Sequence, residues 1–490
     1  MPISADVREL CRTALDRAKR HPDVTHAEVR YHRDRSERLR VRDGAPDGIG
    51  EHQSAGFAVR VIARGAWGFA CTAIPAAKAM TQMVDDAVAI ALASSRLIRA
   101  PVVLAPIEPQ VGHYETPVAV DPFGVSLEQK LEDLSVPEAE LRRGGPPIRS
   151  AEAWMSWTEI DKLLLTLEGT DVEQHLVYGD IGMLAVAVAD DGRSQRRSFP
   201  GTPGTNGQQA GYEAIAEAGL TQAAPRIRRE AIELLSAPQC PEGKRDVILA
   251  SNQLALQVHE SCGHPTELDR ALGAEISLAG GSFLQPEQLG KLRYGSDIVT
   301  LTADSVAPRG LGTFGWDDEG TPAKKSPLIQ DGIFVDYLSS RETAAALGRA
   351  STGTVRADGF NRVPMIRMIN VSLEPRSGSL EDLILDTRDG ILFDTNQSWS
   401  IDDLRLNFQF SCELAWEIKN GKRVRLLRDA RYTGVTPELW RSCDAICGPE
   451  ETRIWGLANC GKGDPIQAMQ VAHGAPPAQA AGLLSPMALA

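Results

Sequence analysis

The chain lacks the sequence features of a membrane-spanning, secreted or nucleic-acid-binding protein. Its apolar runs, such as GMLAVAVA and KLLLTL, have the length of a strand and fall short of the roughly 20 residues that a transmembrane helix needs. The N-terminal segment MPISADVREL is polar and lacks the apolar core of a secretion signal. A formal net charge of −13 leaves no basic surplus for a nucleic-acid backbone or an anionic membrane. We therefore expect a cytoplasmic protein that binds neither nucleic acid nor a membrane.

Cysteine is also sparse. Eight cysteines scattered over 490 residues do not form the framework of a disulfide-stabilised domain. What the chain does contain is ordinary for a globular protein, with 42% hydrophobic and 24% charged residues. Its length allows roughly three domains. The composition therefore indicates a soluble enzyme or enzyme subunit.

The first predicted domain, residues 1–100, is a small α+β unit. Strands are expected around 27–31 and 39–41, followed by a turn at Asp43-Gly44 and further strands. A first helix precedes these strands, and a second helix is expected to start near Pro75. The Pro-rich segment RAPVVLAPIEPQ after this unit predicts a linker.

The middle domain is predicted over residues 110–238. A helix is expected from Ser126 to Leu141, and strongly alternating strands follow it. A second helix is expected from about Pro225 to Leu235, just before the Pro-containing boundary SAPQCPEGK. The fold class predicted for the whole chain is α+β.

The C-terminal domain, residues 244–478, is expected to be rich in antiparallel sheet. Three dipeptides typical of tight hairpins support this prediction, namely Asp331-Gly332, Asp389-Gly390 and Asn420-Gly421. The final residues, 479–490, are low in complexity and predict a loose tail.

The most informative segment is VHESCGH, within a predicted helix of the C-terminal domain. Zinc peptidases with the motif H-E-x-x-H carry two helical histidines four positions apart. Here His259 and His264 are five apart, about 140° around an ideal helix, and cannot share one ion. Gly263 suits a left-handed helix cap, and Pro265 disfavours helical geometry at the residue before it. We predict a helix that ends near Gly263 and a chain reversal that brings His264 back to His259.

Glu260 is suited to act as a general base beside such a metal. Bound Zn²⁺ lowers the pKa of its water toward about 7, and a carboxylate that does not bind the metal can take the released proton. A structural interpretation is equally open from these residues, because Leu254, Val258 and Cys262 define a core-facing stripe in which His259 could simply be buried. The third ligand is also open, with candidates Cys262, Glu267, Asp269 and the remote Cys460.

Four further features admit both a functional and a structural interpretation. The acidic motif WDDEGTP could bind Mg²⁺ or relay protons, but acidic runs before Gly and Pro are more often turns. Cys443 and Cys447 could join Cys460 in a cluster, although a fourth cysteine is lacking nearby. His473 could orient substrate or stabilise an oxyanion. Two arginines could hold a substrate carboxylate, namely Arg356 and Arg367.

Five motifs in this order resemble the TldD/PmbA (modulator of DNA gyrase) family of zinc peptidases. They are HESCGHPTELD, DDEGTP, RMIN, CGKG and HGAPPA, and the region from Arg42 to Cys71 is similar to the family's N-terminal domain. The resemblance implies His259, His264 and Cys460 as zinc ligands and Glu260 as general base. It also implies an internal peptide-binding cavity and a TldD-type catalytic subunit that pairs with a related metal-free TldE/PmbA-type subunit, with a homodimer as the alternative.

The sequence and the resemblance together predict a zinc-dependent metallopeptidase that hydrolyses unfolded or short peptides, including peptide leaders. Its many strands are suited to bind an extended peptide through backbone hydrogen bonds. Two alternatives stay open: a noncatalytic scaffold within a related heterodimer, and a subunit that binds peptides without cleaving them.

Overall fold

The computed structural model describes residues 3–278 and 280–485. The N-terminal part is a helix–sheet unit in which two helices pack on three strands through a shared apolar core. Its elements are α1 (Ala5–Lys19), β1 (Val24–Arg42), β2 (Ala45–Ala63), β3 (Ala66–Thr72) and α2 (Ala77–Ser94). The predicted turn at Asp43-Gly44 is confirmed, because both residues adopt positive φ between paired strands.

The two strands predicted at 27–31 and 39–41 are one continuous strand, β1. Its polar middle pairs with β2 on one side and with a strand of the middle segment on the other. The hydrogen-bonded ladder therefore continues through residues that carry no apolar pattern.

The middle segment adds helices and long antiparallel strands to the same sheet. Its elements are β4 (Val111–Glu115), α3 (Leu127–Arg142), β5 (Ile148–Thr166), β6 (Asp171–Val188), β7 (Ser194–Phe199), β8 (Gly207–Gln208), α4 (Ala214–Ala218) and α5 (Leu220–Ser236). Helix α5 begins five residues before the predicted start, so Pro225 lies inside it. The buried face of Leu220, Ala224 and Ile227 explains the earlier start, since the helix packs against α3, β6 and β7.

The C-terminal segment is mostly strand. Its first elements are β9 (Gly243–Leu249), α6 (Ser251–Val258), α7 (Leu268–Ala271), β10 (Leu301–Asp304), β11 (Lys325–Gln330), β12 (Ile333–Phe334), α8 (Arg341–Ala346), β13 (Val355–Arg356), β14 (Met365–Ile366), β15 (Val371–Leu373) and α9 (Leu380–Asp386). Those that follow are β16 (Asp389–Ile401), β17 (Asn407–Lys419), β18 (Lys422–Leu427), β19 (Arg431–Val435), α10 (Thr436–Arg441), β20 (Cys443–Ile446), β21 (Arg453–Lys462), β22 (Gln467–Ala475) and β23 (Ala478–Ser485).

Two large sheets organise these strands. A ten-stranded sheet has the order β22-β21-β8-β6-β5-β1-β2-β3, with β4 and β7 also on β6. A seven-stranded sheet has the order β16-β9-β23-β19-β17-β18, with β20 on β23. Helices and largely antiparallel strands confirm the α+β class. Among the helices of the described ranges, none has the length and apolar content to cross a bilayer.

Two of the three predicted hairpins are confirmed. Asp331-Gly332 joins β11 to β12, and Asn420-Gly421 joins β17 to β18. The prediction for Asp389-Gly390 is wrong, because these residues begin β16, which runs parallel to β9. The Asp389 carboxylate instead pairs with Arg245 and Lys419.

The end of the chain is also more ordered than its composition predicts. Where the sequence predicts a loose tail, residues Ala478–Ser485 form β23, which pairs with β9 on one side and with β19 and β20 on the other. The backbone hydrogen bonds of a sheet interior need no particular side chains, which is why a low-complexity segment can supply this strand. Residues 486–490 lie outside the described residues.

Candidate metal centre

The VHESCGH segment forms a π-helical turn. Helix α6 continues into a π turn over His259–Gly263, and a 3₁₀ turn over His264–Thr266 follows. The backbone N–H of His264 donates to the carbonyl of His259, the i→i+5 bond of a π-helix. This wider turn places residues five apart on one face, and the two imidazole centroids lie 4.7 Å apart.

The predicted chain reversal at Gly263 is therefore wrong. The proximity of His259 and His264, which the reversal was proposed to explain, is nevertheless present. Gly263 has φ −55° and ψ −62°, a right-handed helical geometry, and Pro265 lies within the 3₁₀ turn that follows. A Cβ atom at Gly263 would lie 2.0 Å from Sδ of Met368. Glycine is needed here for close packing, and the extra residue of the motif is accommodated by the π turn.

The structure brings together the three residues that the family resemblance implies as ligands. One ligand atom from each of His259, His264 and Cys460 lies within 4.8 Å of the others, and all three residues are buried. Cys460 Sγ lies 3.8 Å from His264 Nε2. Cys460 follows a register shift in the pairing of β21 with β22, and such bulges redirect side chains.

A hydrogen-bond relay determines which nitrogen His259 presents to this site. His473 Nδ1 lies 2.8 Å from the carbonyl oxygen of Val371, and His473 Nε2 lies 2.8 Å from His259 Nδ1. A carbonyl only accepts, and burial together with the neighbouring His259 holds the pKa of His473 well below its usual range. Neutral His473 therefore donates from Nδ1 and accepts at Nε2. His259 donates from Nδ1, which leaves its Nε2 lone pair for a metal.

His264 is oriented by a carboxylate. Its Nδ1 lies 3.0 Å from Glu267 Oε2, which also accepts from Arg270 Nε at 2.6 Å. Burial opposes ionisation of Glu267, but Lys462 and Arg270 outweigh it and hold the pKa of this carboxyl well below its usual range. A carboxylate that accepts from Nδ1–H leaves Nε2 of His264 free to face the metal, an arrangement common in zinc sites.

The other candidate third ligands have different roles. Glu267 orients His264, and Asp269 accepts a hydrogen bond from Lys462 Nζ at 2.7 Å. Cys262 is buried, and burial raises the pKa of its thiol. The pKa of Cys460 is instead lowered, since the nearby His264 and Arg367 outweigh the effect of burial. Cys460 is thus the cysteine more readily present as the thiolate that binds metals.

Glu260 lies next to His259 on the π turn and is held by two donors. Its Oε1 accepts from the indole N–H of Trp399 at 2.8 Å, and its Oε2 accepts from Arg405 Nη1 at 2.8 Å. Trp399 lies on β16, and Arg405 lies in the turn to β17. Sequence reasoning missed both residues, because they lie 139 and 145 positions from Glu260 and no local motif marks them.

The acidic motif at 317–322 is a buried structural junction. Asp317 accepts backbone hydrogen bonds from Glu319, Thr321 and Val355. The remaining two carboxylates are ion-paired: Asp318 with Arg30 and Lys162, and Glu319 with Arg60. These partners satisfy the three carboxylates without a metal. Cys443 and Cys447 belong to no group of the described residues that could hold a metal.

The ligand set fits a catalytic zinc ion. Two imidazole nitrogens and one thiolate are typical zinc ligands, and three protein ligands leave a fourth position for water. The same set also accepts other borderline divalent ions. The Glu260 carboxylate lies beside these ligands and accepts hydrogen bonds from Trp399 and Arg405. It is therefore available for proton transfer.

Comparisons with known proteins relate this chain to metallopeptidases. The family model for the PmbA/TldA metallopeptidase C-terminal domain matches residues 242–478, and the model for domain 1 of the same metallopeptidases matches residues 27–91. A metalloprotease of Methanocaldococcus jannaschii is 28% identical over 441 residues, which cover 90% of this chain and 94% of that protein.

Two solved structures share the fold. A candidate modulator of a DNA gyrase from Thermotoga maritima has a TM-score of 0.77 at 18% identity, with 98% of this chain and all of that chain covered. TldE from Thermococcus kodakarensis has a TM-score of 0.69 at 18% identity, with 99% of this chain and all of that chain covered.

Proposed function

Because this chain belongs to the PmbA/TldD family of metallopeptidases, we propose that it is a zinc-dependent peptidase that hydrolyses unfolded or short peptides, including peptide leaders. The observation that supports this most strongly is the convergence of His259, His264 and Cys460 beside a Glu260 held by other residues. A scaffold subunit has no physical need of this combination.

Zinc bound at this site would supply a Lewis acid and an acidified water. The relay from Val371 through His473 fixes His259, and Glu267 fixes His264, so neither ring has to reorient when peptide binds. Glu260 takes the proton of the attacking water and delivers it to the leaving amine. Trp399 and Arg405 hold the Glu260 carboxylate in place for this transfer.

The proposal includes a partner. The family resemblance implies that this chain, as the TldD-type subunit, pairs with a related TldE/PmbA-type subunit, with a homodimer as the alternative. A cavity closed by two subunits would exclude folded proteins by size and restrict cleavage to extended peptides. We assign this enzyme to the cytoplasm.

Substitution of Glu260 tests the proposal. We expect Glu260→Gln to keep bound zinc and to lower peptide hydrolysis by about 10²–10⁴-fold, because a general base is lost while the ligands stay. Zinc content and cleavage of an unstructured peptide are measured on the chain alone and with a co-expressed related subunit. Glu287→Gln, at an exposed glutamate, is the matched control and retains activity.

Other results would contradict the proposal. Equal turnover of wild type and Glu260→Gln excludes Glu260 as the base. Wild-type protein that binds neither zinc nor another divalent ion, and cleaves nothing with its partner, would be a scaffold. Protein that binds peptide and zinc without cleavage would be a binding subunit.

A further inference from the structure

A small cavity lies between the ten-stranded sheet and the C-terminal segment, and the three candidate ligands are not among its lining residues. Its volume is about 50 Å³, roughly the room of three or four water molecules. The residues that carry the argument are His32 on β1, Lys162 on β5, Tyr178 on β6 and Arg356 on β13. Lys162 and Arg356 are basic, and His32 can donate a hydrogen bond from an imidazole N–H. None of the four residues belongs to the candidate metal centre.

Two of the lining side chains keep hydrogen-bonding capacity unused. His32 is 2% exposed and Arg356 is 7% exposed. Both ring nitrogens of His32 and the Nε–H of Arg356 have no hydrogen-bond partner among the described residues. Arg356 uses Nη2 to donate to the carbonyl of Met368. Buried polar groups nearly always have a partner, so these atoms indicate a missing ligand or ordered water.

The charges around the cavity are unbalanced toward the positive. Arg30, Lys162 and Arg356 act on Asp318, which is already paired with Lys162 and Arg30, while Glu28, the other carboxylate near Arg30, is ion-paired with Arg60. Asp358 also lines the cavity, but it accepts from the backbone of Ala468 and lies 3.7 Å from Arg362. Within the described residues, neither Arg356 nor the neighbouring Arg367 has a carboxylate in ion-pair distance. A buried guanidinium with no carboxylate in ion-pair distance is costly, and an anion in the cavity would offset this cost.

Two of the other polar side chains that line the cavity already have hydrogen-bond partners. Gln174 donates to the carbonyl of Trp316 and accepts from the backbone of Gly315. Thr313 donates to the carbonyl of Ala307. A ligand would therefore meet an arginine N–H and an imidazole N–H, with the Tyr178 ring as a further wall. Two N–H donors and a positive charge in a volume of three heavy atoms match a carboxylate group.

We propose that this cavity is a carboxylate-binding subsite in which Arg356 and His32 hold the anion. The Cys460 thiolate is among the charges that act on Arg356, so the subsite and the candidate metal centre are electrostatic neighbours. Two sources share this chemistry: the C-terminal carboxylate of a bound peptide and a free small carboxylate ion. The first source rests on the proposed peptidase function, whereas the subsite itself does not.

Thermal unfolding with acetate tests the subsite without any catalytic assay. At constant ionic strength, replacement of chloride by acetate raises the unfolding midpoint of the wild-type protein, and the rise saturates with concentration. Arg356→Met abolishes this response and melts no lower than wild type in chloride, because the substitution removes a buried cation that has no carboxylate in ion-pair distance. His32→Phe keeps an aromatic ring but removes both ring nitrogens, and it weakens the response. Arg293→Met, at a surface ion pair, is the control and responds like wild type.

An equal acetate response in wild type, Arg356→Met and His32→Phe would overturn the subsite, and so would the absence of any response in wild type. The source is then distinguished with two peptides that differ only in a free or an amidated C-terminus. If the peptide supplies the carboxylate, the wild-type KM is about 10-fold or more lower for the free acid, and this preference disappears in Arg356→Met. If a free ion is the ligand, both peptides have the same KM while the thermal response persists.

Discussion

Two hydrogen bonds outside the ligand set determine which nitrogen each candidate ligand histidine presents. Glu267 accepts from His264, and His473 accepts from His259 while it donates to Val371. Burial lowers the pKa of His259 to about 4, so the ring is neutral at physiological pH and carries one lone pair. The relay through His473 makes Nε2 the nitrogen with that lone pair.

Substitution of His473 should therefore weaken metal binding without removal of a ligand. We expect His473→Phe to lower zinc affinity by about 10–100-fold, because His259 loses the acceptor that fixes its tautomer. His473→Gln, whose side-chain oxygen can accept from His259, should recover part of the loss. Competition with a chromophoric chelator measures the affinity. Unchanged affinity in both variants would show that the relay does not orient His259.

The sequence identified part of this centre. His259, Glu260 and His264 stand out from their spacing and residue types, and the resemblance to a known family added Cys460. Trp399 and Arg405 could not be found in this way, because their contact with Glu260 exists only after two distant strands have paired. His473 was singled out, but its role as an acceptor depends on packing that no spacing encodes.

At the scale of elements, the π turn is the feature that makes five-residue spacing compatible with one site. The sequence correctly indicated that a regular helix could not continue through Gly263 and Pro265. It could not indicate how the helix changes, because glycine and proline signals are shared by left-handed caps, 3₁₀ turns and π turns. The close approach of Met368 to Gly263 is the tertiary contact that the local sequence does not contain.

Gly263→Ala tests the packing of this turn. The added methyl group meets Met368, and we expect the free energy of unfolding to fall by about 1–3 kcal/mol, even though alanine favours helical backbone. Addition of Met368→Ala should relieve the clash, so that the double variant loses less stability than the sum of the two single changes. Urea denaturation measures both. Gly50→Ala, with no atom within 4 Å of the new methyl group, is the control.

At the scale of the whole molecule, two strands of the C-terminal segment join the sheet that the N-terminal and middle segments build. Strands β21 and β22, which carry Cys460 and His473, form one end of the ten-stranded sheet, while His259 and His264 follow β9 of the other sheet. The α+β class and the five longest helices could be predicted from the sequence, whereas the short helices α4 and α7–α10 were not. This long-range pairing could not, because antiparallel partners hundreds of residues apart leave no local pattern.

The acidic motif at 317–322 also joins the C-terminal segment to the ten-stranded sheet, because Asp318 pairs with Arg30 on β1 and Lys162 on β5. Asp318→Asn leaves Lys162 and Arg30 buried without their shared carboxylate, and we expect it to destabilise the protein by about 3–5 kcal/mol. Zinc content should not change, and Mg²⁺ should not raise the unfolding midpoint of wild type. Asp297→Asn, at a side chain that is 83% exposed, should cost about 0–1 kcal/mol. Loss of Mg²⁺ binding in Asp318→Asn would instead make the motif a metal site.

The contribution of Asp318 should also depend on pH. Burial opposes its ionisation, but Lys162 and Arg30 hold the pKa of this carboxyl below its usual range. A carboxyl with a depressed native pKa stabilises the fold above its unfolded pKa of about 3.9 and loses this effect as the pH falls through the native value. The stability difference between wild type and Asp318→Asn should therefore be constant near neutrality and shrink only in acid.

The contact between Trp399 and Glu260 gives the protein a built-in optical probe. Of its eight tryptophans, all within the described ranges, the one at position 399 is the exposed one. The fluorescence emission of an indole that donates to a carboxylate and also faces solvent changes when the carboxylate moves or when solvent is displaced. Ligands that reach Glu260 can thus be followed by intrinsic fluorescence without a label, and oxidation of this accessible ring would alter one of the two donors that hold Glu260.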